Sequence, residues 1–402
     1  DGGSAGLSTT YSWSRLGCTT EARYGDLGYV GDLNGDGYDD LAVGAPYYTE
    51  LQTNEGKVDV YYGGSAGPAS LPDWSEQSNQ NNAKFGHRVI GGDFNADGYN
   101  DLVVSANYYS VSGGSSRGKV FVYYGSSSGI SSPASWTYLP PDGTCLYFGN
   151  SLGVADVNGD GYDDLVVGQE FSDVGPGDGE AHVFHGSAAG LSATPDWTVI
   201  GEQDTSRFGQ AVAGTGDVND DGYDDVLIGA SWYENGEDYE GAAFLYLGSA
   251  TGLMDEPIWH YESDENDGLL AYMLGRGGDV NDDGYDDMVV GGHALGLGGK
   301  VLVFHGGTTE CVIGGTTYLQ GTVHPTDVCY WCDPSQSTTD WSPYNGNACD
   351  DGIDCTEDAC NGGVCVGTPD HDSCDDGVDC TDDVCSATTG CANTPDDTYC
   401  DD

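Results

Sequence analysis

Apolar and polar residues alternate along this chain in short runs, and Gly, Asp, Asn and Ser separate the runs. The segment GKVFVYYG, from Gly118 to Gly125, is typical. Alternation with a period of two between clusters of turn residues predicts β-strands. Each unit contains four such runs, and no long pattern with a helical period is visible. We therefore predict an all-β protein built from four-stranded antiparallel sheets.

The same unit returns at a regular distance. The stretch DLNGDGYDDLAVGAP begins at Asp32, and variants of it begin at Asp93, Asp156, Asp217 and Asp279, which are 61, 63, 61 and 62 residues apart. A four-stranded sheet cannot bury both faces alone, and radial stacking around an axis solves this problem. A linear solenoid is the rival fold, but its repeats are usually far shorter. The period therefore predicts a β-propeller.

The first nine residues of each variant, here called the acidic loop, have side-chain oxygens at positions 1, 3, 5 and 9 and glycine at position 6. Ca²⁺ takes six to eight oxygens at about 2.3–2.6 Å, and the position-7 carbonyl supplies one more. An EF-hand also needs a glutamate at position 12, where the first loop has Val43. We predict about five calcium ions, one per loop. The predicted ligands are Asp32, Asn34, Asp36, Tyr38, Asp40, Asp93, Asn95, Asp97, Tyr99, Asp101, Asp156, Asn158, Asp160, Tyr162, Asp164, Asp217, Asn219, Asp221, Tyr223, Asp225, Asp279, Asn281, Asp283, Tyr285 and Asp287.

For any single loop, an ordinary Asp/Asn/Gly hairpin turn is the simpler interpretation. Five copies with the same oxygen spacing favour metal binding instead. The carboxylates within one loop repel each other, so we expect calcium to act first as a folding ligand. The residues at position 8 are expected to face solvent; they are Asp39, Asp163, Asp224 and Asp286, with Asn100 in the second loop.

Other elements of the unit recur as well. An aromatic-Gly pair precedes the acidic loop at Tyr24-Gly25, Phe85-Gly86, Phe148-Gly149 and Phe208-Gly209, whereas the fifth unit has Leu270-Ala271. With the VGAP of Val43 to Pro46 and the GxVxVY strands, residues 1–307 resemble the FG-GAP repeats of integrin alpha-chain β-propellers and their bacterial relatives. The resemblance implies Ca²⁺ within the hairpin joining the first two strands of a blade, and it implies adhesion.

The number of blades stays open at this point. The resemblance implies seven, whereas five units are visible. We expect a seven-bladed ring of which blades are missing from this chain. The alternative is a closed ring of five blades, in which a strand at Trp13 completes the last blade.

Charge and cysteine content narrow the class of protein. The chain has 67 acidic and 10 basic residues, a formal charge of −57, which disfavours binding to nucleic acid and favours cations as partners. Twelve of the 14 cysteines lie between Cys311 and Cys400. Such density indicates disulfides and an oxidising compartment, so we expect a secreted or cell-surface protein. The predicted domains are a propeller at 1–307, a cysteine-containing connector at 308–348 and Cys-rich repeats at 349–402.

The tail contains two similar segments, CDDGIDCTEDACNGGVC from Cys349 and CDDGVDCTDDVCSATTGC from Cys374. They resemble the CTDC-type repeats of slime-mould and myxobacterial surface proteins, and Cys400 is taken as the start of another copy. Cys329 and Cys332 form a CxxC, for which redox chemistry or zinc are alternatives to structural disulfides. We favour disulfides, and their pairing stays open.

No catalytic residues are predicted. Three GxSxG strings, around Ser4, Ser65 and Ser127, lack the strand-to-helix context of a hydrolase nucleophile. No apolar run is long enough to span a bilayer. We interpret the chain as an extracellular calcium-binding propeller that acts as an adhesion or ligand-binding module for a protein or glycan, on a Cys-rich stalk. The alternatives are the propeller of a secreted polysaccharide-active enzyme and a structural spacer.

Overall fold

The computed structural model forms two compact units, Asp1–Gly306 and Gly307–Asp402, and each is considered by itself. The subdivision of the second unit into a connector and Cys-rich repeats stays a prediction. The structure describes residues 13–14, 26–111, 116–141, 145–172, 179–296, 298–307, 310–313, 316–319, 323–324, 327–332, 337, 339–343, 345, 349, 351–353, 355–374 and 381–395.

In its described residues, the first unit contains five antiparallel sheets whose strands follow chain order across each sheet. The first sheet contains β1 (Asp26–Tyr29), β2 (Leu41–Ala45), β3 (Lys57–Tyr61) and β4 (Trp74–Gln77). The second contains β5 (Val89–Gly92), β6 (Asp101–Ala106), β7 (Lys119–Tyr123) and β8 (Trp136–Tyr138). The third contains β9 (Cys145–Ala155), β10 (Asp164–Ser172), β11 (Glu180–Phe184) and β12 (Trp197–Ile200). The fourth contains β13 (Phe208–Gly216), β14 (Asp225–Ala230), β15 (Ala242–Tyr246) and β16 (Trp259–Glu262). The fifth has three strands in the described residues, β17 (Met273–Gly278), β18 (Asp287–Gly292) and β19 (Lys300–Phe304).

The apolar core lies between consecutive sheets. Val60 of the first sheet and Val104 of the second share one buried cluster, and Val103 of the second and Val167 of the third share the next. Consequently every residue of β6 is buried, because its two faces pack on different neighbours. This arrangement explains why the second strands read as continuous apolar runs.

The first strands of the sheets face a common axis. Strand β1 contacts β5, β5 contacts β9, β9 contacts β13 and β13 contacts β17. All five line one cavity of about 550 Å³. The prediction of a β-propeller with four-stranded blades is therefore confirmed, with the fifth sheet showing three strands in its described part.

Tryptophans on the outer strands join neighbouring sheets. The Trp74 ring lies 4.9 Å from the Tyr123 ring of the next sheet. The Trp13 ring, which lies outside the described strands, is 5.1 Å from the Tyr61 ring of the first sheet. Within the described parts of the chain, Trp13 belongs to no strand beside β19. Most of the segment expected to form that strand lies outside the described residues, so the number of blades stays a prediction. The Tyr24-Gly25 pair also lies outside the described residues.

The second unit consists of short strands and disulfides. Its elements are β20 (Glu310–Ile313), β21 (Thr316–Leu319), β22 (Val323–His324), β23 (Asp327–Trp331), β24 (Ser342–Pro343), β25 (Thr356–Asn361), β26 (Val364–Pro369), a 3-10 helix (His371–Cys374), β27 (Thr381–Ser386) and β28 (Gly390–Pro395). The described disulfides are Cys329–Cys360, Cys349–Cys365, Cys355–Cys385 and Cys374–Cys391.

The CxxC cysteines do not pair with each other. Cys329 bonds to Cys360, and Cys332 is also disulfide-bonded. The expectation of structural disulfides in this region is confirmed, and such bonds fit an extracytoplasmic compartment. Among the helices that the structure describes, none has the length and apolarity needed to cross a bilayer.

Candidate metal centres

Each acidic loop connects the first and second strands of its sheet, and the carboxylate at position 1 organises it. Asp32 Oδ1 accepts the backbone N–H of Gly35 at 2.7 Å, and Asp32 Oδ2 accepts that of Gly37 at 2.7 Å. Gly37 has φ of +86°, which only glycine adopts freely, so the sequence needs glycine at position 6. The bond from position 6 to position 1 recurs in the other four loops at 2.7–2.9 Å.

Positions 3 and 5 also turn their oxygens into the loop. Asn34 Oδ1 accepts the N–H of Asp36 at 2.9 Å, and Asp36 Oδ1 accepts the N–H of Tyr38 at 3.0 Å. The same pair of bonds recurs in every loop. The donor set is made only of carboxylate, amide and carbonyl oxygens, which are the ligands that Ca²⁺ prefers. The residues present therefore fit calcium chemically.

The carboxylate at position 9 accepts two backbone hydrogen bonds inside its sheet. Asp225 is fully buried; its Oδ2 accepts the N–H of Val218 in the loop and its Oδ1 accepts that of Gly248 after the third strand, both at 2.9 Å. Equivalent bonds are made by Asp40, Asp101, Asp164 and Asp287. Position 9 thus ties three strands of one sheet together.

Burial perturbs these carboxyl groups. Loss of solvation raises the pKa of Asp101 to about 7 and the pKa values of Asp164 and Asp225 to about 8. The backbone N–H bonds oppose this effect, and the neighbouring acids at positions 1 and 5 add to it. A nearby divalent cation would favour the ionised form at all three positions.

The expectation that position 8 faces solvent is wrong for three of its four aspartates. Asp163 Oδ2 accepts the N–H of Asp93 at 2.7 Å, and Asp224 Oδ2 accepts that of Asp156 at 3.2 Å. Asp286 pairs with Arg276 at 2.6 Å, whereas Asp39 is exposed as expected. The physical reason is the radial stacking, which places position 8 of one loop against position 1 of the preceding loop.

A second acidic group is present that the sequence patterns did not predict. One carboxylate oxygen from each of Glu237, Glu240 and Asp264 lies within 4.8 Å of the other two. Among the described residues this is the single group of three acidic side chains that meets this distance, and the acidic loops do not meet it. The signal that could have revealed it is the change from amides to acids between repeats, since Gln77 and Asn79 of the first repeat correspond to Glu262 and Asp264.

These observations define the first unit as a β-propeller with an acidic loop in each of its five sheets. A family model described as FG-GAP repeat matches residues 25–61, 85–123, 148–184 and 208–246. The family model thus confirms FG-GAP repeats at four of the five predicted units. The fifth unit, with its Leu270-Ala271 pair, lies outside the matched residues.

Curated proteins with similar sequences include two integrin chains and an enzyme. Integrin alpha-IIb of Mus musculus is 37% identical over 213 residues, which are 50% of this chain and 20% of that protein. Integrin alpha pat-2 of Caenorhabditis briggsae is 30% identical over 248 residues, 56% of this chain and 19% of that protein. Phosphatidylinositol-glycan-specific phospholipase D of Homo sapiens is 34% identical over 238 residues, 53% of this chain and 27% of that protein. The chain thus spans between 19% and 27% of the length of these relatives.

Proposed function

We propose that the five acidic loops bind Ca²⁺ and that the propeller is a calcium-dependent adhesion or ligand-binding module outside the cell. The observation that carries the calcium part is the fivefold repetition of one oxygen arrangement. The side chains at positions 1, 3 and 5 point their oxygens into each turn, as Asp32, Asn34 and Asp36 do in the first loop.

Calcium in a loop would stabilise more than the loop itself. Position 9 bonds to the turn after the third strand, and position 8 bonds to the loop of the preceding blade. An ion that offsets the repulsion between position 1, position 5 and position 9 therefore supports one blade and its junction with another. At affinities of about 10⁻⁴ to 10⁻³ M, which are usual for extracellular modules, the loops fill outside cells.

The relatives support the ligand-binding part. Two of them are integrin alpha chains, and the disulfides of the second unit suit a stalk in an oxidising compartment. The ligand class we propose is an extracellular protein or glycan. The match to phosphatidylinositol-glycan-specific phospholipase D favours a second candidate, in which the propeller accompanies a secreted enzyme.

The test is a binding screen of the full chain against a glycan array and a panel of extracellular proteins, each with calcium and with EDTA. The expected result is binding to one of these classes in calcium that is lost in EDTA. Equal binding in calcium and in EDTA would show that calcium has no role in ligand binding. No binding under either condition would favour a structural spacer, and turnover of an arrayed glycan would favour the enzyme.

A further inference from the structure

The acidic group of Glu237, Glu240 and Asp264 lies at one end of the fourth sheet, where the chain passes on toward the fifth. Glu237 and Glu240 belong to the loop 231–241, which joins β14 to β15, and Asp264 follows β16. In an antiparallel sheet these two connections lie at the end opposite the loop that joins the first two strands. The group is therefore separate from the acidic loop of the same sheet.

Two buried oxygens, one in this group and one on the adjacent Glu262, have no hydrogen-bond partner among the described residues. Glu240 is fully buried; its Oε1 accepts the N–H of Asn235, and its Oε2 has no partner in the described residues. Glu262 Oε1 accepts the Asn235 side-chain amide at 2.9 Å, and Glu262 Oε2 is also buried without a partner. None of the described ion pairs includes Glu237, Glu240, Glu262 or Asp264. Negative charge is thus concentrated around the buried carboxylate of Glu240.

The first repeat contains the same pair of connections in the same geometry. The N–H of Asp238 donates to Asn266 Oδ1 at 3.0 Å. In the first repeat, the N–H of Thr53 donates to Asn81 Oδ1 at 2.9 Å. Both repeats also have a serine hydroxyl that bonds to the carbonyl of the buried glutamate, at 2.5 Å in the first and 2.7 Å in the fourth. The two loops can therefore be compared residue by residue.

The comparison shows which side chains are particular to the fourth repeat. Glu55 is fully buried in the first repeat, as Glu240 is in the fourth, and its Oε2 has no partner either. Amides can turn an N–H toward such a carboxylate, but ionised acids cannot donate. The first repeat has amides where the fourth has acids, with Gln52 for Glu237, Gln77 for Glu262 and Asn79 for Asp264.

The spacing of the acids suits a calcium ion. Two oxygens on opposite sides of Ca²⁺, each at about 2.3–2.6 Å, are about 5 Å apart. The oxygens of Glu237, Glu240 and Asp264 lie within 4.8 Å of one another. We propose that these three residues, with Glu262 beside them, form a calcium site that is distinct from the five acidic loops. Calcium suits it better than Mg²⁺, which requires near-ideal octahedral geometry and keeps several waters.

The experiment counts bound calcium by equilibrium dialysis of the full chain at about 10 mM calcium, which exceeds the affinities of about 10⁻⁴ to 10⁻³ M expected for extracellular sites. The double variant Glu237→Gln/Asp264→Asn introduces the amides that the first repeat already has, so the loops should keep their fold. Glu265→Gln is the matched control, because Glu265 lies in the same connection but pairs with Lys300. Circular dichroism verifies that each variant is folded.

The expected result is one bound ion fewer in the double variant and an unchanged number in Glu265→Gln. The same number of ions in the double variant and the wild type would overturn the proposal, since protons and not a metal would then neutralise the group. Loss of an ion in Glu265→Gln as well would also overturn it. Calcium binding would then depend on the total negative charge of the connection and not on the three proposed ligands. Because the readout is a difference, it does not depend on whether the acidic loops bind calcium.

Discussion

Asp163 and Asp93 are joined by two hydrogen bonds although they belong to different sheets. Asp163 Oδ2 accepts the N–H of Asp93 at 2.7 Å, and the N–H of Asp163 donates to the Asp93 carbonyl at 3.2 Å. Asp93 is position 1 of the second acidic loop and Asp163 is position 8 of the third. A residue outside the predicted ligand set thus couples one acidic loop to the next.

The first prediction tests this coupling. Asp163→Ala removes a charged acceptor from the partly buried N–H of Asp93, so we expect the free energy of unfolding to fall by about 1.5–3 kcal/mol. Asp39→Ala, at the exposed position 8 of the first loop, should change it by less than about 0.5 kcal/mol. Urea denaturation in calcium measures both. Equal effects of the two substitutions would show that the bond between sheets contributes nothing.

The second prediction concerns removal of calcium. At about 10 mM calcium and dissociation constants of about 10⁻⁴ to 10⁻³ M, each filled loop adds about 1.4–2.7 kcal/mol to the free energy of unfolding. Adding EDTA should therefore lower the melting temperature strongly, and restoring calcium should recover it. Differential scanning calorimetry at constant ionic strength measures the change, with sodium chloride as the control for screening. The same melting temperature in EDTA and in calcium would contradict metal binding by the loops.

The third prediction separates the scaffold role of position 9 from metal binding. In EDTA, Asp225→Ala leaves the N–H groups of Val218 and Gly248 without their acceptor, which should cost about 2–4 kcal/mol. Asp221→Ala, at the exposed position 5 of the same loop, should cost less than about 1 kcal/mol without calcium. Chemical denaturation in EDTA gives both values. If the two variants lost equal stability, position 9 would have no structural role beyond that of position 5.

The fourth prediction is a pH dependence that arises from His87. Burial, together with the nearby charges of Arg88 and Lys84, lowers the pKa of His87 to about 4. Its ordinary pKa is about 6.5, so between these values the unfolded chain binds a proton that the folded chain does not. The unfolding free energy should therefore fall as the pH drops from 6.5 to 4, by about 2 kcal/mol at pH 4.5.

The control for this prediction is His87→Gln, which cannot titrate. Carboxylates also protonate in this range, so the quantity compared is the loss of unfolding free energy between pH 7 and pH 4.5 in each protein. The wild type should lose about 2 kcal/mol more than the variant. Equal losses would show that His87 accepts its proton as readily in the folded state as in the unfolded one.

Much of the fold can be predicted from the sequence because the pattern of one blade occurs five times in the chain. Alternation predicts the strands, and the fixed oxygen spacing predicts which side chains turn into each acidic loop. Both are local properties, set by residues within one turn or one strand. The sequence could not predict the cysteine pairs, because Cys329 and Cys360 become neighbours only when distant segments fold together.

The sequence by itself determined the repeat, the blade and the oxygen positions around Asp32, because these depend on contacts over a few residues. The tertiary structure decided the roles that depend on neighbouring sheets and on the pairing of distant strands. It placed Asp163 against Asp93 of the neighbouring sheet, and it placed the buried Glu240 close to Asp264 at one end of the fourth sheet. Radial stacking creates the contact between Asp163 and Asp93, and the pairing of β15 with β16 creates the one between Glu240 and Asp264. Both contacts join residues far apart in the chain, and the periodicity of the sequence does not report them.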